Sequence, residues 1–363
     1  IGVQWHPECF IVRNERSMMP LFEWLIAEAI NYRKARNIHQ HTLTIDSHCD
    51  TPMCFNGDVT PSQLFSQRTD QVLVDLHKMR EGGLDASVMV AYLPQGVRDA
   101  KTHSEVTKKT HQILDQIEEM VQNNAEYVAI ARTAEELYAL KAEGKRAIML
   151  GVENGYAIGR DLLQIKALRE RGVVYMTLCH NGDNDICDSA RGTNEHGGIS
   201  DFGIQVVSKM NECGMMIDLS HASEKSFYDA LSFSKVPILC SHSSSRALCN
   251  HPRNLTDDQL RALAKAGGVA QVTFYHGFLR SEGEASVLDA VRHLNHMVRV
   301  MGIEHVGVGS DFDGDGGVAG LADASEMLNF TRHLLRERYS ENDLRLIWGG
   351  NFLRVMGEVQ SYM

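Results

Sequence analysis

The feature that most constrains this chain is a set of eight apolar, β-branched runs that recur from residue 43 onward. They are "LTIDSHCD" (43–50), "ASVMVAYL" (86–93), "RAIMLGVENG" (146–155), "VVYMTLCHNG" (173–182), "GMMIDLSHAS" (214–223), "VPILCSHSS" (236–244), "GVAQVTFYHG" (268–277) and "HVGVGSDFDG" (305–314). Continuous apolar runs suit strands covered on both faces, as in parallel sheets. Helical patterns such as "SEVTKKTHQILDQIEEMVQ", "DLLQIKALRERG" and "TDDQLRALAKAGG" lie between most of them. Eight strands alternating with helices predict an α/β fold, a TIM-like (β/α)8 barrel.

Most of these runs begin apolar and end in His, Asp, Glu or Tyr. In such a barrel the C-terminal strand ends build the active site. His48, Asp50, Glu153, His180, His221, His242, Tyr275 and Asp311 all fall at such ends, so the barrel is expected to gather them at one mouth. His48 and Asp50 are separated by one residue, and positions i and i+2 of a strand share a face. Three imidazoles (His48, His221, His242) and two carboxylates (Asp50, Glu153) form an N/O set that suits Zn²⁺. Five ligands exceed one tetrahedral zinc; they suit two zincs sharing a carboxylate around an activated water. A single strand-end His is more often a hydrogen-bonded structural residue. It is the coincidence of five candidates at one end that points to metal. The "DFDGDGG" stretch resembles the start of a calcium loop, but its twelfth position is Ala322 where a bidentate Glu is needed, which excludes that reading.

Composition sets the remaining bounds. The 363 residues carry a net charge of -11 and no long basic run, which argues against nucleic acid and anionic membrane surfaces as partners. No apolar stretch approaches a membrane span. Eight scattered cysteines form no C-x-x-C pair, and Cys179 and Cys240 fall in strand-like runs, where a cysteine is usually a small buried hydrophobe. A reducing, cytoplasmic location is the expectation. Residue 1 is Ile, so upstream sequence is expected.

From about residue 42 to 358 the chain resembles the membrane (renal) dipeptidase family of zinc peptidases, among the metal-dependent, amidohydrolase-like barrels. The motifs that carry the likeness are "IDSHCDTP", "GVENG", "YMTLCHN", "GMMIDLSHAS", "SHSSSRALCNHPRNLTDD", "VTFYHGFL", "VGVGSDFDG" and "GGNFLRV". The resemblance implies that His48 and Asp50 hold one zinc, His221 and His242 the other, and that Glu153 bridges them. It further implies that His180 contacts the scissile carbonyl, that Arg253 and Tyr275 bind the substrate carboxylate, and that Asp311 handles protons. Dipeptides are then the substrates and a homodimer the assembly. "IDSHCDTP" departs from the family's commoner Asn-Asp-Leu-Pro after the His, and residues 55–80 match weakly, both on the side that shapes the pocket.

Residues 1–37 form a separate unit. "IGVQWHPE" followed by "PLFEWLIAEAINYRKARN" resembles the last strand and helix of a class I glutamine amidotransferase domain. His6 and Glu8 would be two members of its Cys-His-Glu triad, but no Cys precedes them, so this remnant is expected to be non-catalytic. The expected organisation is thus the remnant (1–37) followed by the dipeptidase-like barrel (42–363). The reaction expected is dipeptide hydrolysis by a metal-bridging hydroxide. Two alternatives stand beside it. One is another activity of the same barrel class, an N-acyl amino acid hydrolase or a deaminase. Many such relatives carry H-x-H on the first strand and a carbamylated Lys bridge, where this chain has H-x-D and Glu153. The other is a non-catalytic barrel partnering an amidotransferase-like domain, which predicts decayed ligands, whereas all five are present.

Overall fold

The computed structural model describes residues 16–362. The "IGVQW" strand and the His6 and Glu8 reading lie outside them. Among the described residues there are nine strands: β1 (Ile45–Cys49), β2 (Ala86–Tyr92), β3 (Val128–Ile130), β4 (Arg146–Glu153), β5 (Val173–Thr177), β6 (Met216–Asp218), β7 (Leu239–Cys240), β8 (Val269–Val272) and β9 (Val306–Val308). All pairings are parallel, in the order β1-β2-β4-β5-β6-β7-β8-β9. Beyond the last strand the circle closes: Asp50 N–H donates to Phe312 O at 2.7 Å and Asp311 N–H to His48 O at 3.1 Å. The fold is the expected (β/α)8 barrel.

The eight runs read from the sequence all contain a barrel strand. β3 was not anticipated; it pairs with Arg146–Ile148 of β4, on the edge that β5 takes over from Leu150. Three residues without a polar end leave too short a periodic signal to read. The strands are also shorter than the runs. Their polar ends mostly peel away: His180 lies three residues past β5, His221 three past β6, His242 two past β7 and Asp311 three past β9.

The two ends of the barrel differ. At the bottom, Val88, Met149, Met216 and Leu239 cluster with Phe352 and Met356 of the C-terminal helix Asn351–Gln360, which closes that end with apolar packing. Higher up, the interior turns polar. Asp46 accepts from Ser310 N–H (2.8 Å) and Oγ (2.6 Å), and Asp218 accepts from Thr177 Oγ1 (2.6 Å) and Ser241 Oγ (2.6 Å). Glycines let the strands approach here: a Cβ at Gly309 would stand 1.8 Å from Ser241 O. The small residues before Asp311 thus serve strand packing as well as any ligand.

An N-terminal helix, Met19–His41, runs to the foot of the barrel. Its last turns bury Ala35, Ile38 and His39. Glu28 pairs with Arg332 and Arg336 of the helix Met327–Arg336. Trp24, Leu25, Ile26 and Ile30 of this helix remain exposed.

Candidate metal centre

The mouth of the barrel opens into a cavity of about 330 Å³, at the lower end of the range for small-molecule sites. His48, in β1, is fully buried. Asp50 reaches the same point from just past the strand, at the start of the short 3₁₀ turn Thr51–Cys54. The turn, not strand alternation alone, brings Asp50 Oδ2 within 3.4 Å of His48 Nε2. Glu153 ends β4, and its Oε1 is the hub: 3.0 Å from His221 Nε2, 3.5 Å from His242 Nε2 and 3.8 Å from His48 Nε2. His221 Nε2 and His242 Nε2 are 3.0 Å apart. His221 adopts a left-handed backbone, φ +72°, which turns its ring inward past β6.

The protonation pattern follows from the outer ring nitrogens. Tyr175 OH donates to Ser47 O at 2.9 Å, so it accepts from His48 Nδ1–H at 2.8 Å. Ser241 Oγ donates to the Asp218 carboxylate, so it accepts from His242 Nδ1–H at 2.8 Å. Asn181 Oδ1 accepts from His221 Nδ1–H at 3.2 Å. Each ring is thereby fixed as the Nδ1–H tautomer, and three Nε2 lone pairs converge on a carboxylate oxygen. His48 Nε2 and Asp50 Oδ1 are buried without a hydrogen-bond partner among the described residues. Lone pairs facing a carboxylate repel unless a proton or a cation lies among them, and one proton serves only one of the three rings; bound cations serve all of them. The residues present fit a metal.

The acids say the same. Burial, then the charges of Asp50 and Asp311, push Glu153 well above the carboxylate range, and burial followed by Asp50 does so for Asp311. Burial holds His221 and His242 well below the ordinary imidazole range, favouring the neutral, ligating form. Three groups of ligand atoms lie within 4.8 Å of one another among the described residues: His48, Glu153 and His242; Glu153, His180 and His221; His48, Asp50 and Asp311.

The remaining sequence candidates also line the cavity. His180 is half-buried, its Nδ1 3.5 Å from Tyr92 OH, and burial followed by Arg253 lowers it to about 4. Arg253 is 4 % exposed. Its guanidinium lies 5.1 Å from the Phe278 ring centre, Nη2 donates to His242 O at 3.4 Å, Nε has no hydrogen-bond partner, and it forms no salt bridge among the described residues. Asp311 and Glu153 act on it only at a distance; a buried guanidinium without a direct ion pair is costly, and an anionic ligand offsets that cost. Tyr275 begins the short helix His276–Leu279 with its ring edge-on to Phe278. Asp311 has φ +64°, which Asp tolerates better than bulkier residues. Asp313, its neighbour in "DFDGDGG", is engaged by Thr51 Oγ1 (2.6 Å) and Leu73 N–H (2.8 Å), so it pins the loop.

Sequence reasoning missed the groups that orient the imidazoles: Tyr175, Asp218, Ser241 and Asn181. A signal was present, since Tyr175, Asp218 and Ser241 are polar interruptions of apolar runs, but reading them required the strand register.

The sequence profile of the membrane dipeptidase family (peptidase family M19) matches residues 32–363. The chain belongs to that family. Among relatives of this membrane dipeptidase-family chain, the dipeptidase verJ of Clonostachys rogersoniana is 34% identical over 91% of this chain and 88% of its own length. An uncharacterized dipeptidase of Schizosaccharomyces pombe is 34% identical over 89% and 82%. In three dimensions the probable dipeptidase PvdM of Pseudomonas aeruginosa superimposes with a TM-score of 0.84 at 28% identity, covering 92% of this chain and all (100%) of that one. The same fold recurs in a metallo peptidase of Rhodobacter sphaeroides liganded with a phosphinate mimic of L-Ala-D-Ala (TM-score 0.80, 23% identity, 88% and 99% covered). Family membership makes the chain a metal-dependent dipeptidase-type hydrolase.

Proposed function

We propose that the chain is a binuclear zinc dipeptidase, with His48 and Asp50 on one ion, His221 and His242 on the other, and Glu153 shared between them. The observation that carries this is the set of three Nε2 lone pairs, each fixed by its own Nδ1–H acceptor, around Glu153 Oε1. Three imidazoles and two carboxylates match the borderline-soft preferences of zinc. Bound zinc supplies Lewis acidity and an activated water at neutral pH.

The chain's own groups do the rest. Arg253 offers a planar two-pronged donor to the C-terminal carboxylate of a free dipeptide, with Tyr275 beside it. That anchors the peptide so that its carbonyl lies near His180. His180, neutral in this setting, donates one hydrogen bond to the carbonyl oxygen as negative charge develops there, an interaction worth roughly 3–4 kcal/mol when preorganised. Asp311 accepts the attacking water's proton and returns it to the leaving amine.

The test is metal analysis of the purified protein after dialysis, with hydrolysis of dipeptides of both stereochemistries. Near two zinc ions per chain and dipeptide turnover are expected. Glu153→Gln is expected to lose at least one ion together with activity. Retention of both ions and full turnover by that variant would overturn the bridging assignment.

A further inference from the structure

The charges around the cavity are sorted by side. Asp50, Asp311 and Asp315 come from the loops after β1 and β9, which are neighbours in the closed barrel. Arg191 comes from the loop after β5, and Arg253 from the loop after β7. Both guanidiniums act on His251, which lies in the same wall. A free dipeptide carries one ammonium and one carboxylate. On that acidic side Asp315, outside the metal centre, is left for the ammonium, and buried Arg253 suffices for the carboxylate. Arg191 is then a second cation on the carboxylate side with no charge to meet.

Nothing in its own loop neutralises it. Asp183 accepts from the backbone N–H of Ser189 and Thr193, and Asp188 from those of His196 and Gly198. Asp185 meets His103 and Arg160, and Glu195 meets Arg98. Arg191 forms no salt bridge among the described residues. Its backbone is nonetheless held firmly against the centre. Ser189 Oγ donates to His180 O at 2.6 Å, and Ala190 N–H donates to His221 O at 2.7 Å. On the other flank a Cβ at Gly192 would stand 1.7 Å from Asp183 Oδ1, so a larger residue there would displace the carboxylate that ties the loop. A firmly held loop thus keeps an exposed, unpaired guanidinium at the edge of a substrate cavity.

We infer that this site prefers dipeptides whose C-terminal residue has an acidic side chain, which Arg191 receives while Arg253 holds the terminal carboxylate. The inference rests on the dipeptidase reading and names its substrate class. The test compares kcat/KM for Ala-Asp and Ala-Asn, with the C-terminal residue in each hand, on the metal-loaded enzyme. Ala-Asp is expected to be favoured about five- to tenfold, mostly through KM, as for a charge-assisted contact at a partly exposed site. High salt should narrow the preference, because the pair is exposed to screening. Arg191→Gln should abolish it, and Arg191→Glu should favour Ala-Lys over Ala-Asp. Metal content and melting temperature of both variants report whether they fold. No Asp-over-Asn preference in the parent, or one that survives Arg191→Gln, overturns the inference and leaves the dipeptidase reading standing. Absence of turnover on every dipeptide overturns both.

Discussion

At the scale of single residues, the site is a problem in tautomers. Each metal-facing nitrogen is made available by a hydrogen bond on the far side of its ring, and Tyr175 provides the one for His48. Tyr175→Phe keeps the ring but removes the acceptor. Metal affinity is expected to fall about 10- to 100-fold, the usual effect of losing such an outer partner. Titration in metal buffers checks this, and activity should return at saturating metal; an unchanged affinity would mean that packing alone orients His48. Asp311 poses a different question, because its carboxylate lies with the His48 imidazole and the Asp50 carboxylate. Asp311→Asn keeps size and hydrogen bonding but cannot accept a proton. A drop in kcat of roughly 10²–10⁴, with zinc content and KM little changed, is expected for a lost general acid–base. Loss of a zinc in step with activity would make Asp311 a ligand instead.

At the scale of elements, the strands carried the legible information and the segments after them did not. Apolar runs flag β-strands through burial on both faces, so all eight barrel strands could be found. The polar residues at their ends could be read as one constellation because parallel strands share a direction. What the runs could not reveal is how the chain leaves each strand. His221 and Asp311 take left-handed backbone conformations, and Asp50 sits on a 3₁₀ turn, choices dictated by neighbours distant in sequence. Gly309 illustrates the dependence. Its Cβ would meet Ser241 O at 1.8 Å and Ser47 Oγ at 2.7 Å, atoms of β1 and of the segment that carries His242. Gly309→Ala is therefore expected to destabilise by about 2–3 kcal/mol, as overpacking a tight interior does, and to lower activity by shifting His242. Gly57, with open space around it, supplies the control: Gly57→Ala should fall within about 0.5 kcal/mol of the parent. Equal melting temperatures for the two variants would mean that the barrel wall yields at Gly309.

At the scale of the whole molecule, one histidine far from the mouth ties the chain together. His39, near the end of the N-terminal helix, lies 3.1 Å from Gly83 O through Nδ1 and 2.6 Å from Thr331 Oγ1 through Nε2. Trp348 Nε1–H donates to the same hydroxyl at 2.8 Å. A neutral ring satisfies every group: Nδ1–H donates to Gly83, Thr331 donates to Nε2 and accepts from Trp348. Burial, chiefly, lowers the imidazole from 6.5 to about 4. The sign follows from which state takes up the proton. Above pH 6.5 both folded and unfolded chains hold a neutral His39, and it adds no pH dependence. Between about 6.5 and 4 the unfolded chain binds a proton that the folded one refuses, so stability falls as pH falls. Below about 4 both are protonated and the slope vanishes. The full loss amounts to about 3 kcal/mol, since each tenfold drop in proton affinity on folding is worth about 1.4 kcal/mol. His39→Gln cannot titrate. It is expected to be less stable at pH 8, where it loses the fit of the ring, yet to lose less than the parent on acidification. Urea unfolding of parent and variant across that window, in the same metal buffer, isolates the difference, because acid release of metal affects both alike. The two stability curves should converge toward pH 4; curves that stay parallel would mean that His39 titrates normally and that another group binds the helix to the barrel.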